Sequence, residues 1–178
     1  MASFMKKDDP LHLIGSDLLL IKPSIPIETQ KPGQLFRPYD TWVQAVCLEE
    51  HLPKRKTAGA AGHDLYSIEE KDIPAGGSVV VSTGVCIQLP VGHYGKIEGR
   101  SSLGIQHSVV PFGGIIDEDY RGIIMVKLFN HGPTNYHISS NDRIAQLIIQ
   151  RYTAPKIQCV ATLNSTERNT GGFGSTGR

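Results

Sequence analysis

Arg143-Ile-Ala-Gln-Leu-Ile-Ile149 alternates, so that Ala145, Leu147 and Ile149 share one face and Gln146 looks out from the other. This is the pattern of a strand with one face in a core. Upstream, Val79–Val81, Gly84–Leu89, Tyr94–Glu98 and Ile123–Phe129 are short runs rich in β-branched or aromatic residues. Turn-forming residues bound them: Pro74-Ala-Gly-Gly77, Leu89-Pro-Val-Gly92, His131-Gly-Pro133 and Ser140-Asn-Asp142. No stretch sustains a long helical period, and no solenoid repeat is present. Many short strands at regular spacing predict an all-β sandwich or jelly roll from Thr41 onward.

Residues 1–40 differ. Pro10, Pro23, Pro26, Pro32 and Pro38 interrupt short apolar pieces, which argues against a long helix and for an extension packing on the core or on a protein partner. The run Leu18-Leu-Leu-Ile21 is too short for a membrane span and lacks a small-residue cleavage site. Among 178 residues, 39% are hydrophobic and 20% charged, enough for one soluble domain with an appended segment. A formal net charge of +1 gives no general attraction to nucleic acid or membrane, so any phosphate ligand must be held by local groups. Cys47, Cys86 and Cys159 are odd in number and far apart. They read as reduced thiols of an intracellular protein, in cytoplasm or nucleus, and not as a disulfide frame or zinc site. Pro53-Lys-Arg-Lys56 is a basic cluster that suits either a solvated loop or a nuclear import signal.

Five segments carry chemistry. Asp64, in Ala61-Gly-His-Asp-Leu-Tyr66, is an acid in an apolar context and calls for a partner or a metal-bound water. In Gly99-Arg-Ser-Ser-Leu-Gly104, Ser101 is placed to cap a short helical turn, whose free amides and Arg100 converge on an anion. Gly113-Gly-Ile-Ile-Asp-Glu-Asp-Tyr-Arg-Gly122 reads as a β-hairpin with a functional tip. Ile115 and Ile116 would desolvate Asp117, a plausible base for activating water. Asn141-Asp-Arg-Ile-Ala-Gln146 reads first as a turn entering a core strand. The tail, Arg168-Asn-Thr-Gly-Gly-Phe-Gly-Ser-Thr-Gly-Arg178, combines a phosphate-matched fork, an aromatic face, hydroxyls and four glycines, and suits an arm closing over a nucleotide. Neither a Gly-x-x-x-x-Gly-Lys loop nor a Gly-x-Gly-x-x-Gly fingerprint is present.

These segments, in this order, resemble the five motifs of the trimeric dUTP pyrophosphatase (dUTPase) family, from about Val43 to Arg178. The resemblance implies a jelly-roll (β-clip) core over residues 41–163 and a flexible closing arm over 164–178. It also implies a homotrimer whose active sites are shared between chains. It implies hydrolysis of dUTP to dUMP and pyrophosphate, with Mg2+ on the triphosphate, which keeps uracil out of DNA and supplies dUMP for thymidylate synthesis. By the same resemblance Asp117 activates water for attack on the α-phosphorus, and Tyr120 packs on the deoxyribose and leaves no room for a 2'-hydroxyl. Main-chain groups of Gly114, Ile115 and Ile116, with Met125, read the uracil edge. Arg100, Ser101 and Ser102 contact phosphates, and Gln146 contacts phosphates and the catalytic water. Asp64 acts on the metal through water. Arg168 is the arginine of the arm, Phe173 stacks on uracil, and Gly174, Ser175 and Thr176 meet the outer phosphates.

The chain departs from the family pattern at Asn169, where glycine is frequent, and at Gly104, where alanine is. The segment before Thr41 has no counterpart in the family core. Two other readings compete. A dCTP deaminase of the same fold needs a glutamate aimed at the cytosine ring, whereas here Asp117-x-x-Tyr120 and the arm are intact. A dUTPase-like fold kept only for protein interaction should show decay at Asp117, Arg168 or Phe173, and shows none.

Overall fold

The structure, a computed structural model, describes residues 43–171. The proline-punctuated segment 1–40 and the arm residues Phe173, Gly174, Ser175 and Thr176 lie outside the described residues.

Eleven strands, one short α-helix and a 3-10 turn (Glu49–His51) are described: β1 (Gln44–Val46), β2 (His63–Tyr66), β3 (Lys71–Ile73), β4 (Ser78–Ser82), β5 (Cys86–Gln88), β6 (His93–Glu98), α1 (Ser101–His107), β7 (Val109–Phe112), β8 (Ile115–Ile116), β9 (Met125–Asn130), β10 (Tyr136–Ile138) and β11 (Arg143–Arg151). The β-branched runs become β4, β5, β6, β9 and β11, as the sequence predicts. The all-β jelly-roll class holds, with a four-stranded sheet in the order β2-β11-β6-β8 and a three-stranded sheet in the order β4-β9-β7. Two further pairs, β1-β5 and β10-β3, complete the framework. All described pairings are antiparallel.

Alternation along each strand sends one row of side chains inward. Leu65, Ile97, Ile116 and Leu147 from the larger sheet meet Val81, Val109, Val126 and Leu128 from the smaller one in a single cluster. Each such side chain, fully buried, contributes about 1.5–3 kcal/mol relative to exposure. Asn130 and Thr83, two polar side chains that enter this core, are satisfied. Asn130 donates from Nδ2 to the carbonyls of Ile73 and Thr134 and accepts the Gly132 amide on Oδ1, and Thr83 donates to the Ile124 carbonyl at 2.8 Å.

Two local features differ from the sequence reading. A register shift between Arg143 and Ala145 in the β2–β11 pairing is a bulge, and it turns both Ile144 and Ala145 inward. The segment Gly113–Gly122 is not a two-stranded hairpin. β8 pairs with β6, while β9 pairs with β4 and β7, so the chain crosses from one sheet to the other at Gly113-Gly114. Both glycines have positive φ, at 78° and 118°, and a Cβ on Gly114 would stand 2.7 Å from that of Ile97, so the crossing needs glycine.

Candidate functional site

Two groups of predicted site residues emerge on the larger sheet. The first lies across β2 and β11 and at the exit of β6. Asp64 on β2 pairs in register with Gln146 on β11, which in turn pairs with Glu98, and Gly99 and Arg100 lead from there into α1. Asp64 is largely buried, with 15% of its side chain exposed, and meets Arg100 Nε at 3.3 Å and Arg143 Nη1 at 3.2 Å, one on each carboxylate oxygen. Arg100 Nη1 also donates to the Arg143 carbonyl at 2.9 Å. The partner that an aspartate in this context requires is therefore a pair of arginines. Two guanidiniums against one carboxylate leave a local excess of positive charge, and remaining N–H groups of Arg100 are available to an anion.

Gln146 donates from Nε2 to the Gly99 carbonyl at 2.7 Å, which leaves Oε1 as the end available to accept a hydrogen bond from water. Gly62 makes room for that amide, since a Cβ there would stand 2.3 Å from Oε1. At α1 the sequence reading needs correction. Ser101 is the first helical residue and Arg100 holds the cap position, with no side-chain cap bond. The cause is the extended backbone of Arg100 (φ −94°, ψ 132°), which starts the helix one residue earlier than a Ser101 cap would. The first bond within the helix runs from the Gly104 amide to the Arg100 carbonyl, so the amides of Ser101, Ser102 and Leu103 precede it.

The second group follows β8. The Tyr120 amide donates to the Asp117 carbonyl at 3.2 Å in a tight turn, and the Tyr120 hydroxyl donates to the Ile123 carbonyl at 2.9 Å. The ring lies close against Gly122, where a Cβ would come within 2.5 Å of the phenol oxygen. Tyr120, Ile115 and Met125 are exposed, and the Gly114 carbonyl is fixed by the Ile97 amide at 2.8 Å. The expected desolvation of Asp117 is absent in the single chain. Asp117 is exposed because only Ile116 turns into the core, while Ile115 stands 60% exposed on the other face of the two-residue strand.

The two groups do not meet. Asp117 follows Ile116, which pairs with Gly95, itself opposite Ile149, so four residues along β11 and two strand spacings separate it from Gln146. At about 3.3 Å per residue and 4.8 Å per strand that separation is about 16 Å. Arg168 joins neither group through any described hydrogen bond or ion pair. Its Nε donates to the Gly171 carbonyl at 2.9 Å within a turn where Asn169 takes φ 45°, a left-handed conformation that asparagine tolerates almost as glycine does. Between β11 and that turn the chain is exposed, Ile157 and Leu163 included.

Arg143, Gly62 and Gly99 were not singled out by the sequence. Arg143 and Gln146 are three apart, so strict alternation puts them on opposite faces. The bulge reverses that and brings both to the Asp64 side. Among the described residues no three of His, Cys, Asp and Glu converge to hold a metal ion, and no helix is long and apolar enough to cross a membrane.

The profile of the dUTPase family matches residues 49–177. The deoxyuridine 5'-triphosphate nucleotidohydrolase of Yarrowia lipolytica is 46% identical over 127 residues, covering 70% of this chain and 81% of that protein. The enzyme of the same name from Rattus norvegicus is 45% identical over 141 residues, covering 78% and 69%. Among solved structures, the dUTPase of Staphylococcus bacteriophage 80alpha with dUpNHpp aligns at a TM-score of 0.71 and 25% identity, covering 77% of this chain and 99% of that one.

Proposed function

The chain belongs to the dUTPase family, and from that premise we propose that it hydrolyses dUTP to dUMP and pyrophosphate at sites assembled between copies of the chain in a homotrimer. The observation that carries this reading is the first cluster: Arg100 and Arg143 around Asp64, with Gln146 Oε1 left free beside them.

Phosphoryl transfer asks the protein for position and charge more than for covalent chemistry. Arg100 and the first-turn amides of α1, with Ser101 and Ser102, hold phosphate oxygens. Gln146 Oε1 orients the attacking water, and the Asp117 carboxylate takes its proton. The water oxygen bonds to the α-phosphorus as the bond to the bridging oxygen breaks, and pyrophosphate leaves with that oxygen. Arg168 approaches with the arm as charge develops, Phe173 stacks on uracil, and Gly174, Ser175 and Thr176 hold the outer phosphates.

Asp64 suits an indirect role towards Mg2+. Each of its oxygens already faces an arginine and retains a lone pair for a water, which fits an ion carried mainly by substrate phosphates. Bound there, Mg2+ would neutralise charge on the triphosphate.

The 16 Å gap supports shared sites. A base at that range reaches the phosphate cluster only from another copy, and the same copy would supply the desolvation that Asp117 lacks alone. The exposed segment leading to Arg168, with Ile157 and Leu163 bare, is suited to lie on a neighbour. No disulfide joins Cys47, Cys86 or Cys159, which suits action in cytoplasm or nucleus. Residues 1–40 are proposed to meet a protein partner.

Discrimination rests on fixed backbone. Cytosine reverses the donor and acceptor positions of uracil, and each main-chain group of 114–116 left unpaired costs roughly 1–3 kcal/mol. Tyr120→Ala is expected to raise the kcat/KM for UTP towards that for dUTP, because the ring held by the Ile123 carbonyl closes the space for a 2'-hydroxyl. Unchanged discrimination in steady-state assays would refute the sugar gate. Gly62→Ala is expected to lower kcat by about 10-fold or more while the core stays folded, because the new methyl pushes the Gln146 amide from its place. Turnover equal to the parent's would separate Gln146 Oε1 from the chemistry. The direct test of function is pyrophosphate release with Mg2+ from dUTP beside dTTP, dCTP and UTP. Release from dUTP alone is expected, and a folded protein silent on all four contradicts the reading.

A further inference from the structure

The loop that carries Asp117 and Tyr120 needs an anchor. Arg121 Nη1 donates to the carbonyls of Glu118 and Tyr120, at 2.7 and 2.9 Å, but these bonds close the loop on itself and do not fix it to the sheet. Glu118 does. Its Oε2 accepts the Gly92 amide at 2.6 Å, and the Tyr152 hydroxyl, beside the same carboxylate in the cleft they line, holds its proton more tightly as a result.

The anchor points are themselves fixed. Gly92 takes φ 74° in a turn closed by the His93 amide on the Pro90 carbonyl at 3.1 Å. The Tyr152 amide donates to the Gly92 carbonyl at 3.0 Å. The Tyr152 ring packs edge-on against Tyr94, with centroids 6.3 Å apart, and the Tyr94 hydroxyl donates to Gln150 Oε1 at 2.6 Å. A cleft of about 430 Å³ lies between, lined by Tyr94, Ile115, Asp117, Glu118, Asp119 and Tyr152. Tyr152 is also the point at which the chain leaves β11 towards Arg168.

We infer that Glu118 is a positioning residue for the hydrolysis: held by the Gly92 amide and set beside Tyr152, it fixes the place of the loop that presents Asp117 and Tyr120 to the substrate. The inference rests on the reading of Asp117 as the base. Hydrogen bonds to an ionised carboxylate are roughly twice as strong as neutral ones, so the Gly92 amide is a strong tether for a short exposed loop. Among the described residues the Asp117 carboxylate has no such restraint of its own. A reacting group misplaced by about 1 Å can cost on the order of 10²-fold in rate.

The test compares steady-state dUTP hydrolysis by Glu118→Ala, Glu118→Gln, Tyr152→Phe and Asp117→Asn in the full chain. Glu118→Ala is expected to lower kcat by about 10²-fold with KM changed no more than a few-fold. Glu118→Gln keeps an acceptor for the Gly92 amide and should recover most of that loss, which a purely structural role would not predict from a shared KM. Parent-like kcat in Glu118→Ala, with Asp117→Asn inactive, overturns the positioning role and leaves the base reading intact. Full activity in Asp117→Asn overturns the base reading and the positioning role with it. If Glu118→Ala does not fold, Tyr152→Phe decides, since it removes one hydroxyl and keeps the ring. A lowered kcat at constant KM supports the inference, and an unchanged kcat overturns it.

Discussion

Asp117→Asn is expected to abolish turnover of dUTP while leaving nucleotide binding largely intact. The substitution keeps the size and shape of the side chain and removes its ability to take a proton from water. Loss of a general base alone costs on the order of 10²–10⁴ in rate. Because Asp117 is exposed in the single chain, the variant should remain within about 0.5 kcal/mol of the parent in stability, as surface substitutions usually do. Two measurements check this: pyrophosphate release in the steady state, and equilibrium binding of a non-hydrolysable imido analogue. A variant that turns over dUTP at the parent's rate would remove Asp117 from the chemistry. One that fails to bind the analogue would make it a binding residue instead.

Ending the chain before Arg168 should produce the other large effect. The arm brings a guanidinium that meets the phosphates only when it closes, and an arginine arriving in this way contributes on the order of 10³–10⁵ in rate in other nucleotide hydrolases. Within one subunit, residues 152–170 are exposed and add nothing to the buried core. The truncated protein should therefore lose about 10³-fold or more in kcat and keep its cooperative unfolding transition. Full activity without the arm would show that reading to be wrong.

Most strands were legible because their signal is local. Val79–Val81 and Ile123–Phe129 are β-branched or apolar runs set between turns, and they form β4 and β9 within a residue or two of the expected bounds. Pairing is not local, and the hairpin reading of Gly113–Gly122 failed for that reason. Two glycines and an acidic turn announce a sharp change of direction, but they do not say which strand receives the chain afterwards. Arg143 was hidden by a bulge that breaks the alternation on which its side was judged. The burial of Asp117 failed differently: flanking isoleucines predict desolvation only if both face inward, and a two-residue strand sends them opposite ways. The roles of Arg100, Gln146 and Arg168 came from motif order. Geometry then supplied what motif order does not contain, namely the second arginine on Asp64 and the distance between the two halves of the site.

That distance is the centre of the account, and subunit mixing tests it. Arg100→Gln and Asp117→Asn, each inactive alone, would be unfolded together, reassembled at equal amounts and assayed for pyrophosphate release from dUTP. If Arg100 and Asp117 of each site come from different chains, random assembly restores both in about a quarter of the sites, and activity should return to about a quarter of the parent's. Assemblies that contain both variants yet stay as inactive as either one alone would contradict the account, because the base and the phosphate cluster would then belong to one chain.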